Sequence, residues 1–210
     1  DNVAIIGETG SGKTSLAKLF MEFYSPDKGH IYVDGAELQN FEVQEIRKAV
    51  VYVSQEDFLF TASVRENLKM GNEEISDEEM IEISRKMGVH QFVSKMERAY
   101  DSVLEERGKN LSKGQRQKLS LTRAILRHPK ILILDEATSN MDSISEREIL
   151  NYIKGIRDIT LILISHRINV IANSDCIYVL QKGNIVARGT DKQLKEQCKL
   201  YRQLYGEEEK

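Results

Sequence analysis

Short runs of valine, isoleucine and leucine recur along the chain, and segments with helical spacing of apolar residues lie between several of them. Such runs predict β-strands. Strands that alternate with helices are typical of α/β proteins with a mainly parallel sheet. Lys182 and Gly183 separate the last two runs and predict an antiparallel C-terminal hairpin. The predicted strands occupy residues 3–6, 30–33, 50–53, 131–134, 160–164, 176–180 and 184–188.

Between residues 62 and 128 the pattern changes from strands to helices. Ser76 is followed by three acidic residues, which is typical of a helix start, and Met80, Ile83 and Met87 recur close to helical spacing. We therefore predict a helical subdomain inserted into a single domain. The expected division is a core of residues 1–61 and 129–210 and a helical subdomain of about 62–128.

A glycine-rich segment directly follows the first predicted strand and opens a helical pattern. Its spacing, G-x-x-x-x-G-K-T, is that of a P-loop, whose backbone N–H groups and helix N-terminus surround the phosphates of a nucleoside triphosphate. Lys13 would reach the β- and γ-phosphates, and the Thr14 hydroxyl would ligate Mg²⁺. The alternative is a plain glycine-rich turn, but a turn requires neither the Lys-Thr pair nor the preceding strand. The candidate nucleotide-binding residues are Gly7, Glu8, Thr9, Gly10, Ser11, Gly12, Lys13, Thr14 and Ser15.

Two acids, Asp135 and Glu136, end the apolar run at residues 131–134. Negative charge at the carboxyl end of a buried strand suits a site for a cation and a reacting water. Asp135 would hold the hydration shell of Mg²⁺, and Glu136 would polarise the water that attacks the γ-phosphate. The alternative is that both acids merely begin a loop. It is less favoured because the acids and the P-loop together form the parts of one nucleotide site. Together these patterns predict an α/β fold with a P-loop NTPase core.

Ser112 is placed as the N-cap of a helix that runs to about Leu126. A helix N-terminus that exposes a serine hydroxyl and a glycine N–H is a second candidate anion site. An ordinary capped helix explains the same residues equally well when they are taken alone.

Composition narrows the possible partners and compartments. The 30 basic and 33 acidic residues are interspersed and give a net charge of −3, so no nucleic-acid partner is expected. The two cysteines have no metal-ligand spacing, which suits a reducing compartment. No apolar run approaches the ~20 residues of a membrane helix, and no signal-peptide pattern opens the chain. We expect a soluble piece of a longer polypeptide, because the chain begins at Asp1.

In their order along the chain, the motifs resemble those of the nucleotide-binding domain of an ATP-binding cassette (ABC) transporter. The P-loop matches Walker A, and residues 132–136 match the Walker B strand. The resemblance covers nearly the whole chain and implies ATP and Mg²⁺ as ligands and ATP hydrolysis as the activity. The segment matching the family's signature motif, which would contact the ATP of a partner, consists of Leu111, Ser112, Lys113, Gly114 and Gln115.

Three further residues match family motifs, and their roles are implied by the resemblance. Gln55 corresponds to the Q-loop glutamine, which would contact Mg²⁺ and the attacking water. His166 corresponds to the switch histidine, which would donate a hydrogen bond to the γ-phosphate. Asp142 corresponds to the D-loop aspartate, which would organise the dimer interface. An exposed loop glutamine, a structural histidine and a solvated loop acid are the respective alternatives.

The segments at residues 58–68 and 105–108 resemble those of exporters in particular. An exporter implies a transmembrane domain, fused or separate, a second nucleotide-binding domain, and a place on the cytoplasmic face of the cell membrane. A soluble, non-transport member of the superfamily is the alternative. The adenine-stacking aromatic residue of the family would lie upstream of Asp1.

One residue departs from the family pattern, because Lys113 stands where the signature usually has glycine. A bulky side chain at a crowded dimer seam would weaken the partner's site, as in one subunit of a heterodimer. The alternative is that the side chain points away from the seam and leaves a working homodimer.

Overall fold

The computed structural model describes residues 1–56 and 58–205. The strands are β1 (Asn2–Gly7), β2 (Tyr32–Val33), β3 (Ala36–Glu37), β4 (Val50–Ser54), β5 (Ile131–Asp135), β6 (Thr160–Ile164), β7 (Cys176–Gln181) and β8 (Asn184–Gly189). The α-helices are α1 (Lys13–Leu19), α2 (Val43–Ala49), α3 (Val64–Lys69), α4 (Asp77–Lys86), α5 (His90–Val93), α6 (Lys113–Leu126), α7 (Ser143–Lys154), α8 (Ile168–Ile171), α9 (Asp191–Gln197) and α10 (Lys199–Leu204).

Six strands form one sheet in the order β4-β5-β6-β1-β7-β8. The pairings β5–β6, β6–β1 and β1–β7 are parallel, and β7–β8 is antiparallel. Lys182 and Gly183 turn the β7–β8 hairpin with φ values of 48° and 79°. Two consecutive residues with positive φ are the pattern of a type I′ turn. The predicted α/β fold, with a mainly parallel sheet and an antiparallel C-terminal hairpin, is confirmed.

The chain divides into two compact units. The first consists of residues 1–52, 130–136 and 158–210, the second of 53–129 and 137–157. In the first unit, β5 and β6 are almost fully buried because their side chains are apolar on both faces, as expected of central parallel strands. Ile133 and Ile164 pack there in one cluster with Ile5 of β1 and Ala17 of α1.

The second unit is helical and contains α3 to α7. Its helix starts follow from sequence, because Ser63, Ser76 and Ser112 cap α3, α4 and α6 by accepting a backbone N–H bond. Met80 and Met87 are buried, as their helical spacing predicts. The second unit also includes residues 137–157, so the exact bounds of the helical subdomain remain a prediction.

Among the described helices, none combines the length and apolar character required to cross a membrane.

Candidate functional site

The first unit collects several of the predicted site residues at one edge of its sheet. Gly7 ends β1, Asp135 ends β5, and His166 lies two residues beyond the end of β6. These three strands are adjacent and parallel, so their carboxyl ends lie at the same edge. Ligands of open α/β sheets bind outside this edge.

The glycine-rich loop depends on close backbone packing. A Cβ atom at Gly7 would lie 2.2 Å from the Leu180 carbonyl oxygen of β7 and 2.6 Å from Ser11 Oγ, so no larger residue fits. Gly12, the N-cap of α1, has φ 103°, a conformation that favours glycine. The Gly183 N–H donates to the Ser11 carbonyl at 3.0 Å and ties the loop to the β7–β8 turn. The loop is therefore held in shape by backbone contacts.

Two polar side chains are buried in this loop. Lys13 is only 7% exposed, and its Nζ donates to the carbonyl oxygens of Gly7 at 2.8 Å and Glu8 at 2.9 Å. Burial lowers the pKa of Lys13, and the nearby carboxylates of Glu136 and Asp135 oppose that shift. Ser11 Oγ is buried and has no hydrogen-bond partner in the described part of the chain. The segment thus contains a buried ammonium group and a buried hydroxyl without a partner in the described chain, and an anion could accept hydrogen bonds from both.

Asp135 is held by two hydroxyl groups. Its Oδ2 accepts hydrogen bonds from Thr14 Oγ1 at 2.7 Å and from the Tyr52 hydroxyl at 2.8 Å. Burial, followed by the hydrogen bond to Asp135 and the charge of that carboxylate, raises the pKa of the Tyr52 phenol. Tyr52 therefore remains a neutral donor near neutral pH.

Glu136 and His166 are in direct contact. His166 Nε2 lies 3.0 Å from Glu136 Oε1. Glu136 has φ 53°, a left-handed conformation that costs a non-glycine residue about 1–3 kcal/mol. Its backbone N–H nevertheless continues the sheet by donating to the Ile164 carbonyl at 2.8 Å. The backbone turns sharply at the residue whose carboxylate faces the histidine.

Gln55 belongs to the second unit. It follows β4 in a bend and is exposed. Its predicted contact with Mg²⁺ and with the attacking water remains a prediction.

The predicted signature residues also lie in the second unit, at the N-terminus of α6. Ser112 and Gln115 form a reciprocal capping box, in which Ser112 Oγ accepts from the Gln115 N–H and Gln115 Oε1 accepts from the Ser112 N–H. Because the Ser112 hydroxyl accepts this bond, its own proton stays available to another acceptor. Leu111 is buried below the cap.

Lys113 and Gly114 have different surroundings. The Lys113 side chain is exposed, whereas a Cβ atom at Gly114 would lie 3.1 Å from the Asn140 carbonyl oxygen. The predicted crowding of Lys113 concerns a dimer seam and remains a prediction. Within the second unit, the crowded position is Gly114.

Helix α6, which begins within the predicted signature segment, is joined to residues 139–142, the segment that ends in the predicted D-loop aspartate. The buried Gln117 side chain accepts from the Asn140 N–H at 2.9 Å and donates to Ser139 Oγ at 3.5 Å. Asp142 caps α7 by accepting from the Ser145 N–H at 2.9 Å, and this bond lowers the pKa of its carboxyl group. Asp142 thus has a structural task within the chain, and its predicted role at a dimer interface remains a prediction.

A groove of about 710 Å³ opens over the N-terminus of α6. Three of its lining side chains are lysines, and Asp142 is the one acid among the lining residues. The groove is therefore basic, apart from one carboxylate at its border. The lysines are Lys95, Lys113 and Lys118.

Two polar residues of these sites, Tyr52 and Gln117, are absent from the sequence-based prediction. Tyr52 lies in a valine-rich strand, where a buried hydroxyl needs a hydrogen-bond partner. Gln117 lies on the buried face of α6, where an amide likewise requires hydrogen bonds. In both cases a polar group on an apolar face was the available signal.

The model of the ABC transporter family matches residues 1–139. The chain is 43% identical over 195 residues to the heterocyst differentiation ATP-binding protein HepA of Nostoc sp., covering 92% of this chain and 32% of HepA. It is 39% identical over 193 residues to the mitochondrial iron-sulfur clusters transporter ABCB7 of Oryzias latipes, covering 91% of this chain and 26% of that protein.

Among solved structures, a bacterial Atm1-family ABC exporter with ATP bound matches with a TM-score of 0.93 and 31% identity. The match covers 98% of this chain and 36% of that chain. This chain thus spans about a third or less of the two curated relatives. The family match extends over more than half of the chain and includes the glycine-rich loop and the two acids, Asp135 and Glu136, at the end of β5. The chain belongs to the ABC transporter family.

Proposed function

We propose that the protein binds and hydrolyses ATP as the nucleotide-binding part of an ABC exporter. One observation carries the proposal: Lys13, the Thr14–Asp135 hydrogen bond and the Glu136–His166 contact lie together in one compact unit, at the carboxyl ends of adjacent parallel strands. We call these five residues the catalytic cluster.

The loop fits a triphosphate. Ser11 Oγ is a buried hydroxyl without a partner in the described chain, and the Lys13 ammonium donates to two backbone carbonyl oxygens. Both groups are donors that phosphate oxygens would satisfy. Phosphate oxygens would also replace the carbonyl contacts of Lys13 with charge-assisted hydrogen bonds, which are stronger.

The residues also fit Mg²⁺ bound together with a nucleotide. No group of three or more ligating side chains in the described residues could hold a metal ion by itself. Mg²⁺ is usually held by one or two protein oxygens together with substrate phosphates and waters. Thr14 and Asp135 would supply the protein oxygens. When bound, Mg²⁺ neutralises charge on the phosphate oxygens.

Glu136 is the proposed base. Its carboxylate would accept a proton from the water that attacks the γ-phosphate. His166 would orient the Glu136 carboxylate and donate a hydrogen bond to the γ-phosphate. The left-handed backbone at Glu136 and the 3.0 Å contact support this pairing. Gln55 would contribute an amide to the water and the metal.

The second unit would complete the site of a partner. Ser112, the free N–H groups of α6 and the basic groove suit the γ-phosphate of an ATP bound to a second nucleotide-binding domain. Closure of two such domains around two ATP molecules would drive an attached transmembrane domain at the cytoplasmic face of a membrane. The match to a solved ABC exporter with ATP bound supports an exporter as the setting for this proposal.

The proposal is tested by Glu136→Gln in the full-length polypeptide. The amide keeps the shape of the side chain and loses its basicity, so ATP should bind with unchanged affinity while steady-state hydrolysis falls at least about 100-fold. An ATP-bound dimer should accumulate and be visible by size-exclusion chromatography. Glu148→Gln is the matched control, since Glu148 is an exposed acid of α7. Near-normal hydrolysis by Glu136→Gln would overturn the assignment.

A further inference from the structure

We propose that Tyr52 is a positioning residue for Asp135, the proposed acidic contact of the nucleotide-bound metal. This inference rests on the function proposed above and adds a residue that none of the matched motifs contains. The geometry that carries it is the 2.8 Å hydrogen bond from the Tyr52 hydroxyl to Asp135 Oδ2.

The position of Tyr52 in its strand explains the contact. In β4 the valines at 50, 51 and 53 are buried, and Tyr52 is half-buried between them. The sheet order places β4 next to β5, which ends in Asp135. The ring packs against the apolar core of the first unit, and its hydroxyl reaches past that core to the carboxylate.

The two hydroxyls on Asp135 have different tasks. Both donate to Oδ2, and Oδ1 accepts no hydrogen bond from the described residues. Thr14 is also the proposed direct ligand of the metal, so its oxygen has a second partner when nucleotide is bound. Tyr52 has no such second task. It is therefore the donor dedicated to holding the carboxylate with Oδ1 free for the water shell of the metal.

Groups that orient metal-binding side chains typically change metal affinity by about 10–100-fold when they are removed. Asp135 would contact the metal through water, so the lower end of that range applies. Tyr52→Phe removes the hydroxyl and keeps the ring, and should weaken metal binding to the nucleotide complex about tenfold. Nucleotide binding without metal should stay within about twofold, since Tyr52 is not part of the phosphate loop.

Tyr178→Phe is the matched control. Tyr178 lies in β7 of the same sheet and, like Tyr52, packs partly buried against the core of the first unit. Its hydroxyl forms no hydrogen bond with the described residues, in contrast to that of Tyr52. The two substitutions therefore make the same chemical change in similar surroundings, with one hydrogen bond as the difference.

The experiment uses the full-length polypeptide and Mn²⁺ as the probe, whose free concentration is read by electron paramagnetic resonance in the presence of ATP. A fluorescent ATP analogue in EDTA measures metal-free binding. Hydrolysis titrated with Mg²⁺ gives a second readout: Tyr52→Phe should raise the half-saturating Mg²⁺ concentration about tenfold and leave the maximal rate within about twofold. Tyr178→Phe should match the wild type in all three assays.

A double-mutant cycle separates positioning from a general loss of stability. In an Asp135→Asn background the carboxylate is absent, so Tyr52→Phe should have no further effect on Mn²⁺ affinity. Equal Mn²⁺ affinity of Tyr52→Phe and wild type, equal losses in Tyr52→Phe and Tyr178→Phe, or an undiminished effect in Asp135→Asn would each overturn the inference. If the wild type itself shows no ATP-dependent Mn²⁺ binding, the proposed function fails and the inference with it.

Discussion

The catalytic cluster of the first unit and the signature region of the second unit use their polar groups in opposite ways. In the cluster, four of the five side chains bond in pairs, Thr14 to Asp135 and His166 to Glu136, and only Lys13 donates to backbone carbonyls among the described residues. In the signature region, Ser112 and Gln115 bond to the backbone at their own helix start. In the first region, both acids are therefore held by other side chains of the same unit. The second presents an open basic groove that a charge from outside would have to fill.

This difference matters for catalysis because fixed dipoles and charges act best when they need no rearrangement as the reaction proceeds. In the cluster, the orientation of both acids is set before nucleotide arrives. In the signature region, the capping box fixes the backbone of α6 and leaves the Ser112 proton free. Changes in the cluster should therefore affect chemistry, and changes in the signature region should affect assembly with a partner.

Among the substitutions that compare the two regions, the largest effect is expected for His166→Ala. The substitution removes the partner of Glu136 and the proposed donor to the γ-phosphate, so steady-state ATP hydrolysis should fall about 100-fold. His128→Ala is the control, because His128 makes the same type of contact in the second unit, 3.1 Å from Glu79. Hydrolysis by the control should change less than about twofold. Equal losses in the two variants would mean that the histidine–glutamate contact is only structural.

A smaller effect is expected for Ser112→Ala. Loss of the cap should lower the free energy of unfolding by about 1 kcal/mol, and loss of the hydroxyl should lower ATP hydrolysis about tenfold. Ser76→Ala is the control, since the Ser76 hydroxyl likewise accepts a backbone N–H bond at the start of α4 in the same unit. Thermal unfolding of Ser76→Ala should show the same decrease in the free energy of unfolding, and its rate of ATP hydrolysis should be unchanged. If both variants retain full activity, the signature assignment is wrong.

The smallest effects are expected at Lys113 and Gly114, two adjacent residues of the signature segment. Gly114→Ala brings a Cβ to 3.1 Å from the Asn140 carbonyl, so that segment must shift by a few tenths of an ångström. We expect hydrolysis to fall about threefold, a change of about 0.6 kcal/mol. Lys113→Gly should change hydrolysis less than about twofold, since Lys113 is exposed in the groove. A larger change for Lys113→Gly, with a different cassette subunit co-purifying in equal amount, would support the heterodimer alternative.

Much of the fold could be predicted because its signals are local. Apolar runs end at turn residues, so most strands agree with prediction to within one residue at each end. The run at 30–33 is the exception: only Tyr32–Val33 forms a strand, which pairs with Ala36–Glu37 in a separate two-stranded sheet. Asp34 and Gly35, both with positive φ, form the turn between these two strands, and such a pair is a sequence signal for a hairpin.

The candidate site could be predicted where its residues follow strand ends or cap a helix. Its finer features depend on contacts between distant segments. The Tyr52 hydroxyl becomes meaningful only when β4 lies beside β5, and the tight position in the signature is known only from the neighbouring Asn140 carbonyl. The left-handed backbone of Glu136 likewise could not be predicted, because glutamate does not favour that conformation.

Every role proposed for the first unit requires its glycine-rich loop to bind the phosphates of ATP. Titration of the full-length polypeptide with a fluorescent ATP analogue tests it most directly. Lys13→Ala removes the buried ammonium group and should weaken binding at least about tenfold, since charge-assisted bonds to phosphate contribute more than neutral ones. Lys18→Ala, at the other end of α1, should bind as the wild type does. Equal affinity of Lys13→Ala and wild type would mean that the glycine-rich loop does not bind the phosphates of ATP.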